Sequence, residues 1–243
     1  MKQTHEMVIL TGAGISVDSG IRPFRGKDGI WDVNPMEMAT LHKFMTEPDV
    51  FLSWYYNRFA SNRNAEPNKV HRLLAEKGFR VITQNVDNLH KKAGHADDLL
   101  VEIHGNLSLK RKIGATSRTE LVHAEWEQVD ESNLVASLFE RFNIDKDGTI
   151  DMAHSYRPHI LLFDEYYSDL YQYHKAMEWV DEANTVLFMG TSNSVGITEG
   201  ILNISLAAGK RVIVVDPNPS ASVNRHGVEI QEMTALEYCD SEI

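Results

Sequence analysis

Short apolar runs alternate with helical patterns along most of this chain, and this alternation is the feature that most limits its fold. Each run is four or five residues long and rich in Val, Ile, Leu and Phe, a composition that favours a strand buried on both faces. Strands that alternate with helices imply a parallel sheet covered by helices on both sides. The predicted strands are Met7–Thr11, Phe79–Thr83, Leu99–Ile103, Ile160–Phe163, Thr185–Met189 and Arg211–Val215.

Helical spacing of apolar residues fills the segments between these runs. Gly78 and Gly209 follow two of the segments, at the position where glycine commonly ends a helix. The predicted helices run from Glu47 to about Arg63, from about Val70 to Gly78, from about Tyr167 to Glu182 and from about Ile197 to Ala208.

Residues 107–156 break the alternation, and we expect them to form a small inserted module. One amphipathic helix is predicted there, with an apolar face formed by Leu134, Leu138, Phe139 and Phe142. Residues 1–106 and 157–243 then form one α/β domain, a Rossmann-like parallel sheet with helices on both faces. A chain of 243 residues is long enough for one large domain with such an insert.

Charge and cysteine content argue against several classes of function. The net charge of -11 argues against nonspecific binding to nucleic acid and is compatible with a basic, lysine-bearing protein substrate. The single cysteine, Cys239, excludes an intrachain disulfide and any zinc site built from several cysteines. The chain has no run of 18 apolar residues, and Met1–Glu6 lacks a signal-peptide pattern. We therefore expect a cytoplasmic protein with neither a membrane nor a nucleic-acid partner.

Polar residues follow the predicted strands where a ligand site is expected. Gln84, Asn85 and Asp87 come directly after one run, and His104 ends another just before Gly105. Ligands of open α/β sheets bind beyond the carboxyl ends of the strands, so these side chains are placed for chemistry. The alternative is structural: Asn and Asp turn the chain and cap the next helix, and a histidine before glycine only packs.

Glycine-rich and polar turns follow three further strands. Gly12–Ser16 comes after the first strand, where a helix N-terminus can receive a pyrophosphate. The dinucleotide fingerprint would have a third glycine at position 17, and this chain has Val17. Gly190–Ser194 and Asp216–Pro219 follow two later strands, so these three strand ends and the one before Gln84, four in all, are expected to open on one crevice.

Six motifs occur in a fixed order along the chain: GAGISVDSGIRPFRGKDGIW, TQNVDNLHKKAG, IHGN, RPHILLFDE, GTSNSV and VVDPNP. In this combination and order the chain resembles the sirtuins, the NAD-dependent protein deacylases. The resemblance runs from residue 7 to about residue 219, apart from 107–156, and Trp31–Arg58 is especially similar to bacterial class III sirtuins. Those enzymes remove acidic acyl groups as well as acetyl groups. The resemblance implies NAD as cofactor, an acyl-lysine protein as substrate, and release of nicotinamide and O-acyl-ADP-ribose.

The resemblance also implies roles for individual residues. His104 corresponds to the catalytic base, with Asn85 and Asp87 as the other catalytic residues. A histidine suits a base because its ordinary pKa lies near the working pH. The implied cofactor-binding residues are Gly12, Ala13, Gly14, Ser16, Phe24, Arg25, Gln84, Asn85, Asp87, Gly190, Thr191, Ser192 and Asp216. The implied substrate-binding residues are Tyr55, Arg58, Leu161 and Phe163.

The chain departs from the family pattern at several positions. Arg22-Pro23 stands where the family usually has Pro-Asp, and Asp164 replaces the glycine of Phe-Gly-Glu. The four zinc cysteines are absent, so we expect no metal. In their place Asn143–His154 has the spacing of a calcium loop, but His154 occupies the position of the bidentate glutamate. We expect an Asp/Gly turn there rather than a metal site.

Two questions stay open from the sequence. Either Tyr55 and Arg58 face the acyl pocket and bind an acidic acyl group, or Tyr56 and Phe59 face it and make it apolar; Arg58 could also be a surface charge. The altered loop and the missing zinc cysteines leave ADP-ribosyl transfer or NAD hydrolysis as an alternative activity. A non-catalytic sensor of NAD or ADP-ribose is a further alternative. The retention of Gln84, Asn85, Asp87 and His104 together argues against it, because a sensor has no need of the base.

Overall fold

The computed structural model describes residues 6–22, 35–192 and 196–243. Within these residues the strands are β1 Met7–Thr11, β2 Arg80–Thr83, β3 Leu100–Glu102, β4 Gly105–Lys112, β5 Val122–His123, β6 Tyr156–Ile160, β7 Thr185–Met189, β8 Arg211–Val215 and β9 Val228–Gln231.

Helices connect most of the strands. The α-helices are α1 Pro35–Met38, α2 Leu41–Thr46, α3 Pro48–Asn62, α4 Lys69–Lys77, α5 Leu89–Lys92, α6 Leu134–Phe142, α7 Tyr173–Glu182, α8 Gly196–Ala207 and α9 Ala235–Glu242. The 3-10 helices are Ala13–Ser19, Arg118–Glu120, Trp126–Gln128, Glu131–Asn133, Asp169–Tyr171 and Ala221–Val223. None of the helices in the described part of the chain is both long enough and apolar enough to cross a membrane.

A six-stranded parallel sheet forms the centre of the protein, in the order β3-β2-β1-β7-β8-β9. This confirms the predicted α/β fold, and five of the predicted strands lie in this sheet. The edge strand β9 was not predicted, because its sequence VEIQ is short and only half-buried and therefore lacks the apolar run that marks the central strands.

Both faces of the parallel sheet are buried. Val8 and Leu10 of β1 pack into one apolar cluster together with residues of α7 and α8. Ile9, on the opposite face, packs into a second cluster with residues of α4 and α9. The alternation of side chains along a strand therefore covers each face with its own layer of helices.

A three-stranded antiparallel sheet, in the order β5-β4-β6, continues from the end of β3. The prediction of a strand at Ile160–Phe163 was wrong: the strand is Tyr156–Ile160, and it pairs with β4 rather than with the parallel sheet. The physical reason is the register, since Ile160 pairs with Gly105, the first residue of β4. Residues beyond Ile160 have no strand left to pair with, although their apolar side chains favour one.

The antiparallel sheet shares an apolar cluster with α3 and α6. Leu138, Phe139 and Phe142 of α6 are buried in it, as the predicted amphipathic face requires. Trp126, 1% exposed, lies at its centre and donates from Nε1 to the carbonyl oxygen of Leu107 at 2.6 Å. This cluster also takes in residues of α2 and α3, which precede the segment 107–156. The domain boundaries given above stay a prediction.

Candidate active site

The carboxyl ends of β1, β2 and β7 meet at one edge of the parallel sheet. The backbone N–H of Gln84, just after β2, donates to the carbonyl oxygen of Thr11 at the end of β1, at 2.9 Å. The Gln84 side chain donates from Nε2 to Oγ1 of Thr191, two residues after β7, at 3.0 Å. Asp216 directly follows β8 and accepts at Oδ1 from the N–H of Asn218, at 2.7 Å. The four predicted strand ends therefore do lie along the same edge.

Glycine packs against glycine where the turn after β1 meets the turn after β7. A Cβ atom on Gly12 would lie 2.7 Å from the carbonyl oxygen of Gly190, and one on Gly14 would lie 2.7 Å from the Cα of Gly190. The N–H of Gly14 donates to that carbonyl oxygen at 2.8 Å. Gly190 itself has a φ of +62°, a conformation that favours glycine. The close approach leaves a surface without side chains at Gly12 and Gly14, with Ala13 between them.

A hydrogen-bonded network joins Ser16, Asn85 and Asp87. The Ser16 hydroxyl donates to Oδ2 of Asp87 at 2.7 Å and accepts from Nδ2 of Asn85 at 3.1 Å. The same Asn85 amide donates to the carbonyl oxygen of Gly12 at 3.0 Å. Residues that the sequence separates by about 70 positions are thus fixed relative to one another before any ligand is bound.

The carboxylate of Asp87 is partly removed from water, and its burial raises the pKa above the usual value. Hydrogen bonds from the N–H of Leu89, at 3.0 Å, and from Ser16 act in the opposite direction. Burial thus favours the neutral acid, and the two hydrogen-bond donors favour the charged carboxylate.

Asn68 and His71 support this network from α4, and neither was among the predicted site residues. Asn68 donates from Nδ2 to the carbonyl oxygen of Ile15 at 2.7 Å, which anchors the 3-10 helix Ala13–Ser19. Its Oδ1 also accepts from Nδ1 of His71, whose Nε2 lies 3.5 Å from the hydroxyl of Ser16. The only sequence signal was an Asn in the helix N-cap position, and capping alone would explain it.

His104 lies in the connection between the two sheets. Its Nδ1 lies 3.2 Å from the carbonyl oxygen of Gln84, and its backbone carbonyl accepts from the N–H of Leu161 at 2.9 Å. The next residue, Gly105, has a φ of +86°, and a Cβ there would lie only 1.9 Å from the carbonyl oxygen of His159. A glycine is required at this position for the chain to turn from one sheet into the other.

Burial lowers the pKa of His104 to about 4, and the hydrogen bond to the Gln84 carbonyl opposes this shift. The imidazole is therefore neutral at pH 7, although its ordinary pKa lies close to that pH. Nε2, the nitrogen that does not face Gln84, lies 2.9 Å from the hydroxyl of Tyr167. Tyr167 was not among the predicted site residues.

A cavity of about 320 Å³ opens beside the Ser16–Asn85–Asp87 network. Ala13, Ser16, Asn85 and Asp87 are part of its lining. The lining also includes four cationic side chains, namely Arg22, Arg58, Arg63 and Lys92, and the carboxylate of Glu127. Within the described residues, the cavity therefore joins the predicted cofactor residues to one predicted substrate residue, Arg58.

The two tyrosines of α3 point in different directions. Tyr56 donates to Glu131 at 2.8 Å and packs near Trp126, so it faces the small antiparallel sheet. Tyr55 is 3% exposed, and burial raises its pKa while the nearby Arg58 guanidinium lowers it. Arg58 lies over the ring of Trp54, with its Cζ 4.9 Å from the ring centroid. Tyr55 and Arg58 are thus neighbours, but each candidate pair contributes one residue to the cavity lining, Arg58 from one and Phe59 from the other.

Leu161 and Phe163 lie in the loop after β6 and not in a strand. The N–H of Phe163 donates to the carbonyl oxygen of Ala39 at 3.0 Å, and the Phe163 side chain is 56% exposed. Asp164, which replaces the family's glycine, accepts from the N–H groups of Leu41 and His42 at 2.6 and 3.0 Å. The substitution therefore ties the loop to the start of α2.

The remaining predicted residues divide into two groups. Ser192 is exposed and Thr191 is buried directly after β7, while Phe24 and Arg25 lie outside the described residues. Residues 6–22, 35–192 and 196–243 contain no group of three or more His, Cys, Asp or Glu side chains arranged to hold a metal ion. Asn143–His154 closes on itself through internal hydrogen bonds, such as that from the N–H of Thr149 to Asp147.

Comparison with known proteins identifies the family. The model of the Sir2 family matches residues 12–196. This chain belongs to the Sir2 family. It is 33% identical over 210 residues to the NAD-dependent deacetylase sir2E of Dictyostelium discoideum, and the match covers 81% of this chain but only 61% of that protein.

Two further relatives match over nearly their whole length. The chain is 33% identical over 236 residues to the NAD-dependent protein deacylase of Bacteroides thetaiotaomicron, covering 95% of this chain and 93% of that protein. The solved structure of Sir2–p53 peptide–NAD+ has a TM-score of 0.74 at 26% identity, covering 96% of this chain and 90% of that one. The Sir2 fold therefore extends over both sheets.

Proposed function

We propose that this protein is an NAD-dependent protein-lysine deacylase. The observation that carries the proposal is His104, a neutral imidazole held by the Gln84 carbonyl at the edge of the sheet where Asn85 and Asp87 also lie. Acyl transfer to a ribose hydroxyl needs a base, a fixed amide and a carboxylate close together, and these three groups lie at one edge of the sheet. Sir2-family relatives named deacylases or deacetylases support the same activity.

The residues present fit NAD. The turn of Gly12 and Gly14 carries no side chains, and Gly190 lies too close to allow any, so a dinucleotide can approach the main chain there. Ala13, Ser16 and Asp87 face a cavity that is continuous with this turn. Gln84, tied to Thr191, links the two turns.

When bound, NAD supplies the glycosidic bond that breaks and the ribose hydroxyl groups that accept the acyl group. His104 takes a proton from a hydroxyl through Nε2, because Nδ1 faces a carbonyl oxygen and so carries the ring proton. The amide of Asn85 is held by the Gly12 carbonyl and by Ser16, so its orientation requires no rearrangement during the reaction. Asp87 accepts hydrogen bonds from Ser16 and from the N–H of Leu89 at the same edge, and both favour its charged form.

The acyl group that best matches the cavity is acidic. Arg58 lines the cavity together with Arg22, Arg63 and Lys92, so four cationic side chains face the same cavity as the carboxyl groups of Asp87 and Glu127. A guanidinium can bind a succinyl or malonyl carboxylate through two hydrogen bonds. Tyr56 is engaged with Glu131 and does not line the cavity, whereas Arg58 and Phe59 both line it. Arg58 is therefore the residue to which we assign the acyl carboxylate.

Product analysis tests the deacylase proposal. Incubation with NAD and an acyl-lysine peptide should give nicotinamide, free lysine peptide and O-acyl-ADP-ribose by mass spectrometry. His104→Ala should lower this turnover by roughly 100-fold or more, the scale of lost general-base catalysis, while NAD binding persists. His174→Ala, an exposed histidine on α7, is the matched control and should retain full activity. Free ADP-ribose or ADP-ribosylated protein as the main product would refute deacylation.

A peptide comparison tests the acyl class. Wild-type protein should turn over succinyl-lysine faster than acetyl-lysine peptide, and Arg58→Met should reverse this order. Arg72→Met removes an exposed arginine from α4 and should leave the order unchanged. Preference for acetyl-lysine in the wild type and in Arg58→Met alike would exclude an acidic acyl pocket.

A further inference from the structure

Tyr167 contacts the imidazole of His104 directly, although it is not among the catalytic or binding residues proposed above. Its hydroxyl lies 2.9 Å from Nε2, and the two rings are 5.9 Å apart between centroids with an interplanar angle of 32°. The contact joins the loop after β6 to the connection between the two sheets.

The direction of this hydrogen bond follows from the other side of the ring. A carbonyl oxygen can only accept, so Nδ1 of His104, which faces the Gln84 carbonyl, must carry the proton. Nε2 of the neutral imidazole then carries a lone pair, and the Tyr167 hydroxyl donates to it. This is the same lone pair that has to accept a proton from a substrate hydroxyl in the reaction.

The ring of Tyr167 is held from behind and has space on one side. Tyr173 packs against it with centroids 5.8 Å apart, and Tyr171 anchors the same segment by donating to the carbonyl oxygen of Ile160 at 3.0 Å. A second cavity of about 380 Å³ is lined by Tyr166, Tyr167 and Ile197, among others. The Tyr167 ring therefore borders open space into which it can move when it leaves His104.

We propose that Tyr167 is a positioning residue for His104: in the free enzyme its hydroxyl occupies the Nε2 lone pair, and it leaves when a substrate hydroxyl takes its place. The role in turnover rests on the deacylase function proposed above. Until the exchange, Tyr167 fixes the tautomer and the orientation of the imidazole. A donor on the lone pair also stabilises the neutral ring, so His104 is a weaker base before the exchange than after it.

Few titratable groups in the described part of the chain surround His104, so a change in its pKa can be assigned to Tyr167. The titratable groups on this side of His104 are Tyr167, from the loop after β6, and behind that ring Tyr173, the first residue of α7. On its other side His104 meets the backbone of Gln84, directly after β2, and no charged side chain of the described residues shifts its pKa. Burial raises the pKa of Tyr167 to about 12, so the hydroxyl stays protonated and can donate throughout the working pH range.

The decisive experiment is nitrogen-15 NMR of the His104 ring in the free protein, with no NAD or peptide present. Wild type should show the tautomer protonated at Nδ1. Tyr167→Phe keeps the ring and removes the donor, and it should raise the pKa of His104 by about half to one pH unit, the size of one net hydrogen bond. Tyr166→Phe, the adjacent and 92% exposed tyrosine, should leave that pKa unchanged.

An Nε2-protonated tautomer in wild type, or an unchanged His104 pKa in folded Tyr167→Phe, would overturn the proposal. The tautomer is measured on wild type, so it remains decisive if the variant does not fold. ADP-ribose added to wild type should change the nitrogen-15 shift of Nε2 as Tyr167 leaves, and an unchanged shift at saturation would contradict the exchange. Because these readouts need no turnover, they stand whether or not product analysis supports deacylation.

Discussion

The parallel sheet and the small antiparallel sheet meet at His104 and Gly105, but different contacts stabilise them. The interior of the parallel sheet is apolar, and β1 and β7 contribute residues such as Leu10 and Phe188 that are 0–1% exposed. Its polar side chains are concentrated at the strand ends. The antiparallel sheet instead buries charge: Arg157 is 1% exposed, Arg111 4% and Lys110 8%.

This difference has a direct consequence for how each region responds to mutation. The parallel sheet depends on close packing, so added atoms should do the most damage there. The antiparallel sheet depends on paired charges and on hydrogen bonds that close its loops, so removal of one partner should do the most damage. The predictions that follow test this division.

The largest effect is expected at the buried ion pair of Arg157 and Glu165. Arg157 donates from Nη1 and Nη2 to the two carboxylate oxygens of Glu165 at 2.8 and 2.7 Å. Glu165→Gln should lower the free energy of unfolding by about 3–5 kcal/mol, because it leaves a buried guanidinium without a counter-charge. Urea denaturation at pH 7 measures this. Glu229→Gln breaks an exposed ion pair with Arg211 and should lower the free energy of unfolding by no more than about 1 kcal/mol. Equal losses in the two variants would contradict the idea that the antiparallel sheet depends on its buried charges.

Gly190→Ala should come next, with a loss of about 3 kcal/mol. The conformation costs an alanine about 1–2 kcal/mol, and its Cβ would lie 2.6 Å from the backbone nitrogen of Ile15, which adds about 1–3 kcal/mol of overpacking. Gly209 also has a positive φ, of +68°, but open space around it. Gly209→Ala should therefore show only the conformational cost and retain NAD binding, whereas Gly190→Ala should lose it. Thermal denaturation and calorimetry with NAD would separate the two, and identical behaviour would exclude the steric explanation.

Acid should destabilise the fold through a row of buried histidines. Burial lowers the pKa of His71 from 6.5 to about 4, and it lowers those of His90 and His95 as well. The unfolded chain binds protons below pH 6.5 that the folded chain does not, so stability falls as pH falls from 6.5 towards 4. For His71 alone the loss at pH 5 is on the order of 2 kcal/mol. His71→Gln should show a shallower fall between pH 7 and pH 5 than wild type, and an equal slope would contradict this origin.

The smallest effect is expected at Ser155, which directly follows the loop Asn143–His154 and is hydrogen-bonded to it. Ser155 is fully buried, donates to the carbonyl oxygen of Asn143 at 2.6 Å and accepts from the N–H of Asp151 at 3.0 Å. Ser155→Ala should cost about 1–2 kcal/mol, and Ser132→Ala, at an exposed position, should cost less. Chelators should leave the unfolding temperature unchanged. Stoichiometric zinc, lost together with the fold on chelation, would show instead that a metal closes this region.

The candidate site shows how far a linear pattern can be followed. The positions of Gln84, Asn85 and His104 after apolar runs predicted that they would lie at one sheet edge, since parallel strands end on the same side. The hydroxyl of Tyr167 on Nε2 of His104 and the support from Asn68 could not be predicted in this way. Both contacts join segments more than 50 residues apart whose pairing no local periodicity encodes.

The sequence by itself determined five of the six strands of the parallel sheet, because strand and helix periods are local and glycine marks their ends. The motifs at those strand ends also predicted that the chain belongs to the Sir2 family. Only the tertiary structure decided that the apolar run after Ile160 is a loop. It also decided that Tyr56 turns to Glu131 while Arg58 lines the cavity. Finally, it placed the hydroxyl of Tyr167 against Nε2 of the proposed base, His104. Each of these depends on which distant segment a residue meets, and that is set by register and packing rather than by the residue's neighbours in the chain.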